Sequence, residues 1–194
     1  MKKIFHLILT IFFINVFFGC ASTKIESVKN PEINFSDYKN VLIFGNTQDL
    51  TVRKLLENNI SKELKKVMKK SSESIDIISP LKEWSETEIQ NAIENNNFDL
   101  LLNISITSSS SNTGSSSNFM MPVGSFYFGG SSPEIKLTMT FNVNFFDVRN
   151  KENIAKASII SQAEEDEIME SMESISKDVA KKIVEEFFSN TTKR

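Results

Sequence analysis

The stretch Ile135-Lys136-Leu137-Thr138-Met139-Thr140-Phe141-Asn142-Val143-Asn144-Phe145-Phe146-Asp147-Val148 alternates apolar and polar residues without a break from Ile135 to Phe145. A period of two sends Ile135, Leu137, Met139, Phe141, Val143 and Phe145 to one face of a strand, and Lys136, Thr138, Thr140, Asn142 and Asn144 to the other. One face suits a core and the other suits water. Asp147 to Asn153 is turn-like, and Ile154 to Ala163 returns as the antiparallel partner strand. A sheet with one apolar face needs helices to cover it.

Two amphipathic stretches supply that cover. Val52, Leu55, Leu56, Ile60, Leu64, Val67 and Met68 recur at steps of three and four, as one face of a helix requires. Asp49 or Thr51 can cap its start, and Lys65, Lys66, Lys69 and Lys70 suit its carbonyl end. The same steps relate Ile168, Met172, Ile175, Val179, Ile183 and Phe187, which predict a closing helix. The acidic run Glu164-Glu165-Asp166-Glu167 stands where that helix begins and complements its dipole.

Upstream, Val41-Leu42-Ile43-Phe44 before Gly45-Asn46 reads as a short buried strand. Ser74 to Ser79 reads as a second strand stopped by Pro80, and Phe98 to Ile106 as a third. Between the last two, Ser85-Glu86-Thr87-Glu88 has the form of a capping box opening a helix through Ile89, Ala92 and Ile93, with Trp84 as the staple before it. The predicted order is β-α-β-α-β-(loop)-β-β-α, a single α/β domain with a mixed sheet over residues 41–190. Its loop, residues 107–133, opens with a low-complexity run of Ser, Thr, Asn and Gly, then carries Phe119, Met120, Met121, Phe126, Tyr127 and Phe128. Two readings stand for these six: a flap folded over the core, or an exposed apolar tip that contacts a partner or the bilayer.

The amino-terminal end has a different character. Met1-Lys2-Lys3 precedes 15 residues, Ile4 to Phe18, that are almost all apolar, the plan of a secretory signal peptide. That run is shorter than the roughly 20 residues that span a bilayer core. Phe17-Phe18-Gly19-Cys20 resembles a lipobox, with Phe17 where Leu is commonest. The resemblance implies removal of residues 1–19 and a diacylglycerol on Cys20, whose acyl chains tether the protein without spanning the membrane. No Asp follows Cys20, which by the same resemblance favours the outer membrane where a cell has one. Residues 20–40, polar and aperiodic, are expected to form a flexible tether.

Composition narrows the chemistry. Removing 19 of the 194 residues leaves 175, and because the segment takes two lysines and no acids, net charge moves from −3 to −5. An acidic chain lacks the basic footprint of a nucleic-acid binder. His6 is the only histidine and Cys20 the only cysteine. The mature chain therefore offers no Ser–His–Asp or Cys–His nucleophile and no His- or Cys-ligated metal site, and it shows no phosphate-binding glycine loop. No catalytic residue, metal or cofactor is expected beyond the covalent lipid. A carboxylate-dependent enzyme survives only as a reading without a supporting motif.

Three stretches resemble a group of small bacterial envelope lipoproteins that share the fold of the TolB amino-terminal domain and of the curli-secretion lipoprotein family. They are Tyr38 to Phe44, Ser85 to Ile93 with Phe98-Asp99-Leu100-Leu101-Leu102, and Asn142 to Val148. In that group a short glycine turn follows the Asp-Val; here Asn150-Lys151-Glu152-Asn153 takes its place. The resemblance implies no enzyme activity, and implies a protein that binds other envelope proteins or builds a secretion pore. The strands at 135–148 and 154–163 also have the 9–11 residues that a membrane-crossing hairpin needs. Cells fed a radiolabelled fatty acid should place label on the wild-type product and none on Cys20→Ser. An unlabelled wild-type product, or one that starts at Met1, would end the lipoprotein reading.

Overall fold

The computed structural model describes residues 22–67, 69–113, 135–165 and 167–189. Six strands form one mixed sheet: β1 (Ser22–Lys29), β2 (Asn40–Asn46), β3 (Lys70–Glu73), β4 (Leu100–Thr113), β5 (Ile135–Asp147) and β6 (Glu152–Glu165). Four helices accompany it: α1 (Leu50–Lys66), α2 (Ser74–Ile77), α3 (Glu86–Asn95) and α4 (Ile168–Phe187), with a 3-10 turn at Phe35–Asp37. The strand order is β1-β6-β5-β4-β2-β3, and the sheet does not close into a barrel.

The alternation in β5 places Leu137, Met139, Phe141, Val143 and Phe145 in the main core. Val52, Leu56, Ile60 and Leu64 of α1 cover them from above, alongside Ile175, Val179, Ile183 and Phe187 of α4. β2 is parallel to both β3 and β4, because α1 and α3 return the chain to the start of the next strand. β4, β5 and β6 form an antiparallel ribbon. Asp49 caps α1 by accepting from Thr51 N and Val52 N, and Ser85 with Glu88 completes the capping box of α3.

The structure corrects four expectations. The tether is largely a strand: Ser22–Lys29 runs antiparallel to β6, from Ser22 opposite Gln162 to Lys29 opposite Ala155. Backbone bonds make it, and its inward polar groups find partners. Thr23 Oγ1 donates to Asp178 Oδ2 at 3.1 Å, Ser27 Oγ to Glu186 Oε1 at 2.7 Å, and the Lys29 ammonium pairs with Glu186 at 2.8 Å. The segment after it also packs, since Phe35 meets Phe145 edge-on at 5.4 Å and Phe187 at 5.3 Å. The folded unit thus includes Ser22–Lys29 and does not begin at residue 41.

The second strand lies at Lys70–Glu73, and Ser74–Ile77 is a helical turn. The cause is Glu57, fully buried on α1. Its carboxylate accepts from Gly45 N at 2.9 Å, Arg53 Nε at 2.9 Å, Ser74 Oγ at 2.6 Å and Ile75 N at 2.9 Å. Drawing Ser74 and Ile75 toward α1 ends the strand there. Gly45 allows this approach, because a Cβ on it would lie 3.1 Å from Arg53 Cγ.

The expected loop at 107–133 starts later, since β4 continues to Thr113 and pairs along β5 as far as Ile135. A register shift between Ile106 and Ser108 marks where it outruns β2, whose pairing with β4 ends at Ser105. Likewise Glu164 and Glu165 close β6, leaving Glu167 next to the first helical residue of α4. In the β5–β6 turn, Lys151 holds φ 57°, the left-handed conformation that favours glycine. Asp147 braces this turn through Arg149 N at 2.8 Å and Asn150 N at 3.1 Å.

Two measurements test these clasps. Glu57→Ala would leave Arg53 buried without its counter-charge and should lower the unfolding free energy by about 3–5 kcal/mol, read by urea denaturation. Tyr38 donates to Asp147 Oδ2 at 2.7 Å, and burial first, then this bond and the Asp147 charge, push its phenol up to about 12. Burial raises the Asp147 carboxyl, but the bonds from Tyr38, Asn150 and Arg149 outweigh it and hold it below the usual range. A phenol raised in the folded state contributes fully below about pH 10, and that contribution is lost as pH climbs through 12. The lowered Asp147 works the other way: its contribution is present above about pH 3.9 and lost as pH falls through the lowered value. Of the two tyrosines, one should therefore ionise only near pH 12 in an absorbance titration, and Tyr38→Phe should remove that phase.

Candidate functional site

Among the described residues the two faces of the sheet are covered unequally. α1 and α4 occupy the core face, while on the opposite face α3, with Ile77 of α2, covers one corner. There Leu42, Ile93 and Phe98 bury together, with Ile89, Leu101 and Val148 packed against them. Beside α3 lies a groove of about 700 Å³ whose walls are Ile89, Ile93, Leu101, Phe146 and Val148. Gln90, Glu94 and Lys151 form its rim. A hydrogen bond from Gln90 and the Lys151 ammonium at 3.2 Å hold the Glu94 carboxyl below the usual range.

From that groove toward β1 no described helix covers the face. Its cross-strand rows follow from the register. One row runs Asn103, Asn144, Lys156 and Val28, and the next runs Ser105, Asn142, Ser158 and Glu26. A third holds Ser108, Thr140, Ile160 and Lys24. Short hydroxyl and amide groups dominate, so the face offers many donors and acceptors with little fixed charge. Asn103 Oδ1 is inaccessible to water and accepts no hydrogen bond from the described residues. Such an acceptor costs about 1–3 kcal/mol until a donor reaches it. An apolar groove that continues into a polar sheet face has the anatomy of a protein-binding surface, an apolar centre with a hydrogen-bonding margin.

On the other side, a second groove of about 540 Å³ separates the amino-terminal ends of α1 and α4. Leu50, Leu55, Ile75 and Met169 line it, with Lys54, Lys62, Glu170 and Glu173 around them. A hydrogen bond from Lys177 holds Glu173 below the usual carboxylate range. The buried carboxylates are occupied elsewhere: Glu57 by its four donors, and Asp147 by Tyr38 and its own turn. No cluster of three or more His, Cys, Asp or Glu side chains placed to hold a metal occurs among the described residues.

The residues singled out in the sequence fall mostly outside this description. Phe17, Phe18, Gly19 and Cys20 precede the first described residue, and Phe119, Met120, Met121, Phe126, Tyr127 and Phe128 lie in the undescribed stretch 114–134. Their points of attachment are described. Thr113 and Ile135 stand opposite each other at the tip of the β4–β5 ribbon, and Ile135 faces Glu165 of β6. Ser22 pairs with Gln162, three residues from that tip. The anchor side and the aromatic loop therefore leave the sheet at one end.

The lysine cluster divides by role. Lys69 donates to Phe35 O at 3.2 Å, Ser36 O at 2.8 Å and Tyr38 O at 2.6 Å, pinning the 3-10 turn, while burial lowers its pKa. Trp84 closes the entry to α3, its indole N–H donating to Ser79 O at 2.9 Å under Lys82. Neither the open face nor the groove beside α3 was singled out in the sequence. The signal for the face was the polar half of the β5 alternation, and the groove had none.

No protein-family model and no curated protein matches the chain. Among solved structures, it is similar to a PelC dodecamer from Paraburkholderia phytofirmans, at 11% identity and a TM-score of 0.50, covering 84% of this chain and 95% of that one. A point variant of the same dodecamer aligns at 10% identity and a TM-score of 0.50, covering 83% and 96%. Lipoprotein GNA1162 from Neisseria meningitidis aligns at 11% identity and a TM-score of 0.44, covering 76% and 99%. At these identities the likeness to the dodecamer is one of fold.

Proposed function

We propose that this chain is a non-catalytic binding module of the bacterial cell envelope, anchored through lipid on Cys20 and facing another envelope protein with its open sheet face. The observation that carries the reading is the unequal cover of the sheet among the described residues, with its apolar groove beside α3 and its face of small polar side chains. The lipobox-like Phe17-Phe18-Gly19-Cys20 supports the anchor and, with no Asp following, the outer membrane. No helix among the described residues is long and apolar enough to cross a membrane. Two readings of the partner contact join here: the open face, and the aromatic loop around Phe119 to Phe128 that leaves from the ribbon tip.

A second reading, assembly with copies of itself, draws support from strand edges that no other described strand covers. Among the described residues β1 has a neighbour on one side only, and β4 beyond Ser105 has lost its pairing to β2. Unpaired edges accept further strands, and the fold is similar to that of a protein crystallised as a dodecamer. A pore built by crossing the membrane with β5 and β6 fits less well, because both strands bury one face in the main core.

Photo-cross-linking in living cells separates these readings. A probe at Asn142 or Ser158 on the open face should capture one discrete partner, and a probe at exposed Lys177 on α4 should not. Removing residues 115–133, which leaves β4 and β5 whole, should abolish the capture if the loop contributes. Adducts of equal yield at Lys177 would overturn the docking face, and adducts of twice the monomer mass would favour self-assembly.

A further inference from the structure

The direction of every strand is settled by the register, and it gathers an unexpected set of residues at one end. α1 starts just after β2 ends at Asn46, and α4 starts just after β6 ends at Glu165. The amino termini of both helices therefore lie at the end of the sheet where Ser22 begins β1. At that end three large apolar side chains are about half exposed: Leu50 at 47%, Ile168 at 49% and Met169 at 45%. Leu50 and Met169 line the same groove, which joins them into one surface.

The chain outside the description decides what that surface meets. Only Ala21 separates Cys20 from Ser22, a reach of about 7 Å when extended. Thr23 is bonded to Asp178 of α4, and nine helical residues from Asp178 to Met169 span roughly 14 Å toward the same end. With acyl chains on Cys20 in the bilayer, the folded body has no slack to stand away from it. We infer that this end of the domain seats directly on the lipid bilayer, with Leu50, Ile168 and Met169 entering the interface of the leaflet that holds the Cys20 acyl chains. This rests on the acylation of Cys20 proposed above and adds an orientation to it. Lys54 and Lys62 stand with Glu170 and Glu173 around the apolar residues, and Lys177 pairs with Glu173 at 2.7 Å, so the rim carries both signs and the apolar side chains, not headgroup charge, hold the seat. The opposite end, with the β5–β6 turn at Lys151, points away from the membrane.

The test uses the full acylated protein in vesicles of phosphatidylcholine and phosphatidylethanolamine brominated on their acyl chains. Lipid blocks the Cys20 thiol, so a cysteine introduced by Met169→Cys or Leu50→Cys takes an environment-sensitive fluorophore alone, and Lys151→Cys provides the far-end comparison. Probes at positions 169 and 50 should be quenched at least several-fold more than the probe at 151. Equal quenching at the two ends, with fatty-acid label present on Cys20, would overturn the seating and leave the anchor intact. A spectral shift at 169 without quenching would assign the groove to a protein contact and also overturn it. Absence of the fatty-acid label would remove the anchor and the seating together.

Discussion

Burial of one face of β5 is the constraint on which the architecture turns. Phe141, Val143 and Phe145 are wholly inaccessible, and each such side chain contributes about 1.5–3 kcal/mol by leaving water. They require cover, and the only long amphipathic helices among the described residues, α1 and α4, both go to that side. Nothing of comparable length is left for the other face, where Thr138, Thr140, Asn142 and Asn144 need none. The single short helix α3 reaches only the corner where Leu42, Ile93 and Phe98 meet. The open face is thus the complement of the core, fixed by the same alternation.

The two ends of the domain differ as sharply as its two faces. One end is locked: Phe35, Phe145, Phe187 and Phe188 stack together, Lys69 pins the 3-10 turn, and Tyr38 joins Asp147 beneath Arg149. The other end is where helices start, where β4 outruns β2, and where the chain departs both toward Cys20 and into residues 114–134. A body rigid at one end, with its attachments at the other, is well suited to holding a surface at a fixed angle to whatever it is tied to.

Side-chain patterns announced the elements that bury side chains. The alternation of β5, the stripes of α1 and α4 and the capping box at Ser85–Glu88 were all legible, because each depends on neighbours a few residues away. β1, β3 and the far half of β4 were not. Their residues, such as Ser71, Ser72 and Ser108 to Ser111, carry no apolar signal, and the bonds that make them strands run between backbones. The turn at Ser74 was misread because its cause, Glu57, lies 17 residues earlier and acts only once α1 has docked. At the surface, the polar face could be inferred from the alternation. The groove beside α3 could not, since it requires knowing which corner that helix covers.

The pairing of β1 with β6 also governs when the domain can form. Ser22 finds its partner in Gln162, across nearly the whole length of the folded unit, so an edge of the sheet must wait for the penultimate element of the chain. Closing so long a loop is a late and slow event in folding. During synthesis the residues of β1 therefore arrive first and are completed last. For that interval β6 lacks its outer neighbour and exposes a backbone edge on which another chain could pair. That edge is closed only when Lys29 has found Ala155.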